Sequence, residues 1–147
     1  MTRERDRESF SGGSVPTANE KLKTRLAKDR QIKISVIGRK SGKAISRPVW
    51  FVFEGDKLYL LPVKGSDTQW YQNLLRNRWI RISIRSAEGE FEGTPITDSG
   101  EVSSVVEKFR QKYGPSDVKK YYSKFDVAVV VDLTDDGSLP ETNAGRK

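Results

Sequence analysis

The stretch Gly38-Arg39-Lys40-Ser41-Gly42-Lys43 gathers three cations, a hydroxyl and two glycines into six residues. Such a set suits a phosphate. Glycine lets backbone N–H groups turn toward an anion, Arg offers a planar fork of donors, Lys a compact charge and Ser a rotatable hydroxyl. The same composition also describes a solvated basic turn. It is not a nucleotide phosphate loop of the Walker type, because three residues separate the glycines and Ala44 follows Lys43 where that motif has Ser or Thr. A second stretch, Val63-Lys64-Gly65-Ser66-Asp67-Thr68-Gln69-Trp70-Tyr71-Gln72-Asn73, reads as a turn leading into a helix. A helix start attracts anions, but Asp67 would compete there, so Ser66 or Asp67 is expected as an N-cap and Trp70 and Tyr71 as packing residues.

The rest of the chain limits the chemistry open to these residues. No cysteine and no histidine occur in the 147 residues. Thiolate nucleophiles, disulfides and the commonest metal ligands and general base are therefore excluded, and no metal site is expected. Catalysis is left to tyrosine, lysine, carboxylates or a cofactor. A net charge of +7 favours anionic partners: nucleic acid, a membrane surface or a phosphorylated small molecule. No apolar run approaches the roughly 20 residues that cross a bilayer, and nothing resembles a secretory signal, so a cytoplasmic address is expected.

The elements that would hold the two stretches follow from hydrophobic periodicity. Residues 1–16 are polar and read as a disordered tail, 17–134 as one folded domain and 135–147 as a second disordered tail. A short basic helix is expected over 17–30, carrying Leu22 and Leu26. Ile32, Ile34 and Val36 alternate with polar residues as in a half-buried strand, and 48–53 and 58–63 read as a hairpin turning at Glu54-Gly55-Asp56. A helix is expected to about Asn77, then a second hairpin, 79–85 with 90–97, turning at Glu88-Gly89. Val102, Val105, Val106, Phe109 and Tyr113 have helical spacing, 117–123 reads as a further helical turn, and 127–131 as a strand buried on both faces. Six strands with few helices between them imply a mainly β, α+β fold: an antiparallel barrel with two or three short helices at its ends.

The loop at residues 38–42, then Arg47-Pro48-Val49-Trp50-Phe51, Val63-Lys64-Gly65-Ser66-Asp67 and Trp70-Tyr71-Gln72-Asn73-Leu74, stand in an order and spacing that resembles deazaflavin-dependent nitroreductases and quinone reductases. That family has a split β-barrel related to the flavin-binding pyridoxamine phosphate oxidases and uses coenzyme F-420. The resemblance covers about residues 32–131. It implies that Arg39, Lys40 and Ser41 meet the cofactor phosphate. Ile45, Ser46, Arg47, Pro48, Val49 and Trp50 would line the deazaflavin, Leu61, Pro62, Val63 and Lys64 would flank it, and Gln69, Trp70, Tyr71, Gln72 and Asn73 would close the site. The catalytic group would be the cofactor itself. Tyr113, Tyr121 and Tyr122 lie where relatives carry substrate-facing tyrosines, but they align loosely and serve equally as packing.

Three functions follow from this reading. The first is hydride transfer from reduced F-420 to a quinone, a nitro compound or an activated double bond. The second keeps the fold and exchanges the cofactor for FMN, which shares the ring size and the phosphate. The third is a non-enzymatic basic module on nucleic acid; interleaved acids and the lack of an RNA-binding motif oppose it, and no specific nucleic acid is expected. Edge strands make a homodimer conceivable.

Overall fold

Ile32, Ile34 and Val36 are buried in the computed structural model while Lys33 is exposed, which is the consequence of period-two alternation on a strand with one face against a core. The structure describes residues 18–133; the tails expected at 1–16 and 135–147 lie outside the described residues. Seven strands form one antiparallel sheet: β1 (Ile32–Ile37), β2 (Ala44–Val49), β3 (Phe51–Glu54), β4 (Lys57–Leu60), β5 (Trp79–Ile84), β6 (Ala87–Ile96) and β7 (Ala128–Asp132). Their order is β2-β1-β5-β6-β7-β4-β3. The two edge strands, β2 and β3, are consecutive in the chain and separated by Trp50 alone. A sheet whose opposite edges are joined by one residue has to curl, so the seven strands make a half-barrel.

The concave face carries the larger core. Alternation sends Ile32, Ile34 and Val36 of β1, Phe51 of β3, Leu58 and Leu60 of β4, Ile80 and Ile82 of β5 and Val129 and Val131 of β7 into it. Two helices add to the same cluster, α1 (Ala18–Leu26) through Leu22 and Leu26, and α2 (Gln69–Arg76) through Trp70, Tyr71 and Leu74. Gly89 lets α1 approach β6, since a Cβ there would lie 2.8 Å from the Phe91 ring and 3.3 Å from Leu22. On the convex side, Val52, Leu61 and Ala128 pack against Val102, Val105, Val106 and Phe109 of α3 (Ser99–Tyr113) and Val118 of α4 (Pro115–Tyr121).

Four expectations are corrected. The described residues hold seven strands, because residues 44–49 also pair with β1 and Trp50 interrupts what would otherwise be one strand with β3. Among the described residues there are four α-helices, and the longest covers a sheet face rather than a barrel end. The second hairpin turns at Arg85, with φ 56°, and not at Glu88-Gly89, which sit inside β6. Arg85 tolerates the left-handed backbone where its guanidinium holds Asp29 through bonds of 3.1 and 2.8 Å. Finally, α2 is preceded by Thr68 at the N-cap position, without a side-chain cap bond, instead of Ser66 or Asp67, which belong to a single 3-10 turn.

Candidate functional site

The β1–β2 connection is a tight loop built by its own glycines. The Gly38 N–H donates to the Lys43 carbonyl and the Gly42 N–H to the Gly38 carbonyl, each at 2.8 Å, and Gly42 takes φ 73°. No side chain fits at position 38: a Cβ would lie 2.7 Å from the Ser41 hydroxyl and 2.8 Å from Ile45. Ser41 Oγ accepts the Lys43 N–H at 3.2 Å, so the hydroxyl braces the turn while Lys40 and Lys43 project into solvent.

Arg39 is held from α2. Asn73, 5% exposed, accepts both the Arg39 N–H at 3.1 Å and a guanidinium N–H at 2.7 Å through one oxygen. Gln69 accepts a second guanidinium N–H at 2.9 Å. Two neutral oxygens therefore orient the guanidinium without cancelling its charge, and three of its five donors stay available. A cleft of about 260 Å³ opens beside it, lined by Arg39, Lys40, Ser41, Ile45, Arg47 and Trp70, with Gln69 and Asn73 at its wall. Lys40, Lys43 and Arg47 have no carboxylate partner among the described residues.

Strand β2 runs from this cleft to Trp50. Its register pairs Ile45, Arg47 and Val49 with Val36, Ile34 and Ile32, which puts those three on the concave side. Ser46 and Pro48 take the convex side, where the Ser46 hydroxyl lies 2.8 Å from that of buried Ser35. Among the described residues nothing covers β2: four of its six residues are exposed and the other two half-buried. Six residues at about 3.3 Å each span about 20 Å between the basic loop and Trp50.

At that far end the Trp50 indole stacks on Tyr113, with centroids 4.3 Å apart and planes 6° from parallel, and Tyr121 meets it edge-on at 5.5 Å. The Tyr113 hydroxyl accepts the Phe51 N–H at 3.1 Å and lies 2.6 Å from the Arg30 carbonyl and 2.8 Å from that of Phe51, either of which takes its proton. Lys112 Nζ donates to the Phe51 and Asp29 carbonyls at 2.8 and 3.2 Å. These two side chains of α3 occupy the seam that the sheet leaves open between β3 and the entry to β1. Burial, reinforced by the Arg30 charge, pulls the Lys112 ammonium down to about 8, and burial pushes Tyr113 up to about 12. Tyr122, 5% exposed, is raised by burial as well, whereas Tyr121 is half exposed.

The structure thus brings Arg39, Lys40, Ser41, Ile45, Arg47, Gln69, Trp70 and Asn73 to one cleft. It places the remaining expected residues elsewhere. Leu61, Pro62 and Tyr71 are buried, and Val63 and Lys64 lie exposed in the turn before α2. The Gln72 amide donates to the Ser66 carbonyl. That turn is fixed by Asp126, a residue without a sequence signal, whose carboxylate accepts the Ser66 N–H at 2.9 Å and hydroxyl at 2.6 Å. Burial pushes the Asp126 carboxyl up, but the two Ser66 bonds, its own backbone N–H and the Lys124 charge together outweigh it and hold the group below its usual value. Asp67 pairs instead with Lys124 at 3.2 Å.

No curated protein matches the chain in sequence. Among solved structures, one described as a domain-swapped dimer is similar at TM-score 0.57 and 18% identity, covering 70% of this chain and 80% of that one. An F420-H2 dependent reductase is similar at 0.56 and 18%, covering 70% and 94%. HutZ, the heme storage protein from Vibrio cholerae, reaches 0.61 at 13%, covering 80% and 89%. These likenesses show a shared fold. Residues 23–133 match the model of a family described as "Uncharacterized protein conserved in bacteria (DUF2255)", and because that match takes in most of the chain, the protein belongs to the DUF2255 family.

Proposed function

We propose that the chain is a reductase that binds a phosphate-bearing flavin-type cofactor along β2, coenzyme F-420 in the first instance, and delivers a hydride to a quinone, a nitro compound or an activated double bond. The carrying observation is Arg39, oriented by Asn73 and Gln69 yet left charged, beside Lys40 and Arg47 with no acid between them. Such a cleft suits an anion. The residues fit the group. Its phosphate has a cationic loop at one end of a bare strand, and its ring has half-buried Val49 and Trp50 at the other. The shared fold with an F420-H2 dependent reductase supports the choice of cofactor.

When bound, the deazaflavin supplies the hydride chemistry. The chain's residues hold and orient. Arg39, Lys40 and Ser41 fix the phosphate, Ile45, Ser46, Arg47 and Pro48 offer the strand, and Trp50, locked against Tyr113, sets the limit of the ring end. The proton that completes the reduction comes from water, or from Tyr121, the exposed member of the tyrosine group. A cytoplasmic address and a homodimer, the latter favoured by the similar domain-swapped dimer, belong to the same proposal.

Haem, which HutZ stores, fits less well: the chain has neither histidine nor cysteine to ligate its iron. Parallel titrations with F-420 and FMN test the assignment. Binding of F-420 supports it, and tight binding of FMN alone rejects the deazaflavin.

A further inference from the structure

A second basic concavity lies across β2 from the first. A groove of about 970 Å³ runs between the turn from α1 to β1, the edge of β1 and β2, and the turn from β5 to β6. Five of its side chains are cations, Lys28, Arg30, Lys33, Arg47 and Arg85, against the two carboxylates Asp29 and Glu88. Asp29 is already committed to Arg85 through two bonds. Lys28, Lys33 and Arg47 meet no carboxylate among the described residues. Pro48, Ile32 and Ile84 give the groove an apolar floor, and its volume is that of a small-molecule site.

Two contacts tie the groove to the strand that would carry the cofactor. Arg47 lines both clefts, so the two meet across β2. The Arg30 guanidinium stands 4.9 Å from the centre of the Tyr113 ring, the ring on which Trp50 stacks. The groove therefore runs along β2 from Ser46 and Arg47, where it meets the phosphate cleft, toward Ile32, the partner of Val49.

We infer, resting on the cofactor reading above, that this groove receives the acceptor, and that the acceptor is an anion: an apolar body bearing carboxylate, sulfonate or phosphate groups. The apolar floor takes the body and the free cations take the charge. With a reduced deazaflavin bound along β2, the acceptor would take up its hydride, and thus its two electrons, together with a proton from water or from Tyr121. A neutral acceptor would leave Lys28 and Lys33 without a function at the site.

The test compares naphthoquinone sulfonate with menadione, a neutral relative, on the wild type and on Lys28→Gln/Lys33→Gln. Both lysines are on the surface and substitution leaves the core intact. Equilibrium binding of naphthoquinone sulfonate without cofactor, read by tryptophan quenching, should weaken about tenfold in the double variant. It should stay unchanged in Lys57→Gln/Lys119→Gln, two exposed lysines that line neither cleft. With F-420 bound, the KM for naphthoquinone sulfonate should rise by about the same factor, with menadione unaffected. Equal binding by wild type and groove variant, or equal losses in both variants, overturns the groove. Loss of naphthoquinone sulfonate binding only in the groove variant, together with no F-420 binding by wild type, overturns the acceptor role and the cofactor reading while locating an anion groove.

Discussion

Asn73 is the residue on which the site's geometry turns. It is buried, uncharged and bonded twice to Arg39, so its removal leaves the cation in place but unheld. Asn73→Leu should weaken F-420 binding about tenfold and cost roughly 1–3 kcal/mol in stability, because the Arg39 N–H loses its acceptor in a poorly solvated place. Titration of cofactor and denaturant melts of the same variant check the two parts separately. A Kd unchanged by the substitution would mean that Arg39 needs no alignment. At the seam, Lys112 has the lower pKa in the folded state, about 8 against 10.5 in the unfolded chain. Between those values the unfolded state binds more protons, so stability from this group rises with pH across the window. Tyr113 acts in the opposite sense above pH 10, where the unfolded phenol ionises first and stability falls toward about 12. Lys112→Met should remove the rise between pH 8 and 10.5 in urea melts; a profile identical to wild type would detach Lys112 from it.

Element by element, the helices stand or fall on a few close approaches. Gly89→Ala puts a methyl against Phe91 and Leu22, and should destabilise by about 1–3 kcal/mol by lifting α1 off β6. Thermal melts would show it, and no change in Tm would mean that the neighbours yield freely. The sequence made most of this frame legible where periodicity is strict. β1 and the buried face of α3 sit where alternation and helical spacing put them, and Asp98, before α3, accepts the Glu101 N–H at 3.0 Å. It was misleading where a local signal competes with a distant contact. Glu88-Gly89 looks like a turn, yet Gly89 serves α1, and the true turn is held open by Arg85 reaching Asp29, 56 residues away. The site divides the same way. The loop's charges are plain in the sequence, but Asn73 as its orienting partner, and Asp126 as the clamp on the turn before α2, depend on pairs separated by 34 and 60 residues that no spacing rule reaches.

Among the described residues two basic clefts lie on either side of one uncovered edge strand, with the convex helices on the far strands of the sheet. That asymmetry accounts for where the excess positive charge is useful. Association with an anionic cofactor should slow as ionic strength rises, since the cations at the strand are exposed and screened within about 10 Å at 0.1 M salt. Stopped-flow mixing at two salt concentrations checks this, and a salt-independent rate would place the ligand away from the loop. The central claim is that the loop from Gly38 to Lys43 holds the phosphate of a flavin-type cofactor. Its most direct measurement is the equilibrium affinity for F-420 of wild type and of Arg39→Ala/Lys40→Ala, with circular dichroism confirming that both are folded. Loss of two charge-assisted contacts predicts weakening by about a hundredfold or more. Equal affinity in the two proteins would contradict it.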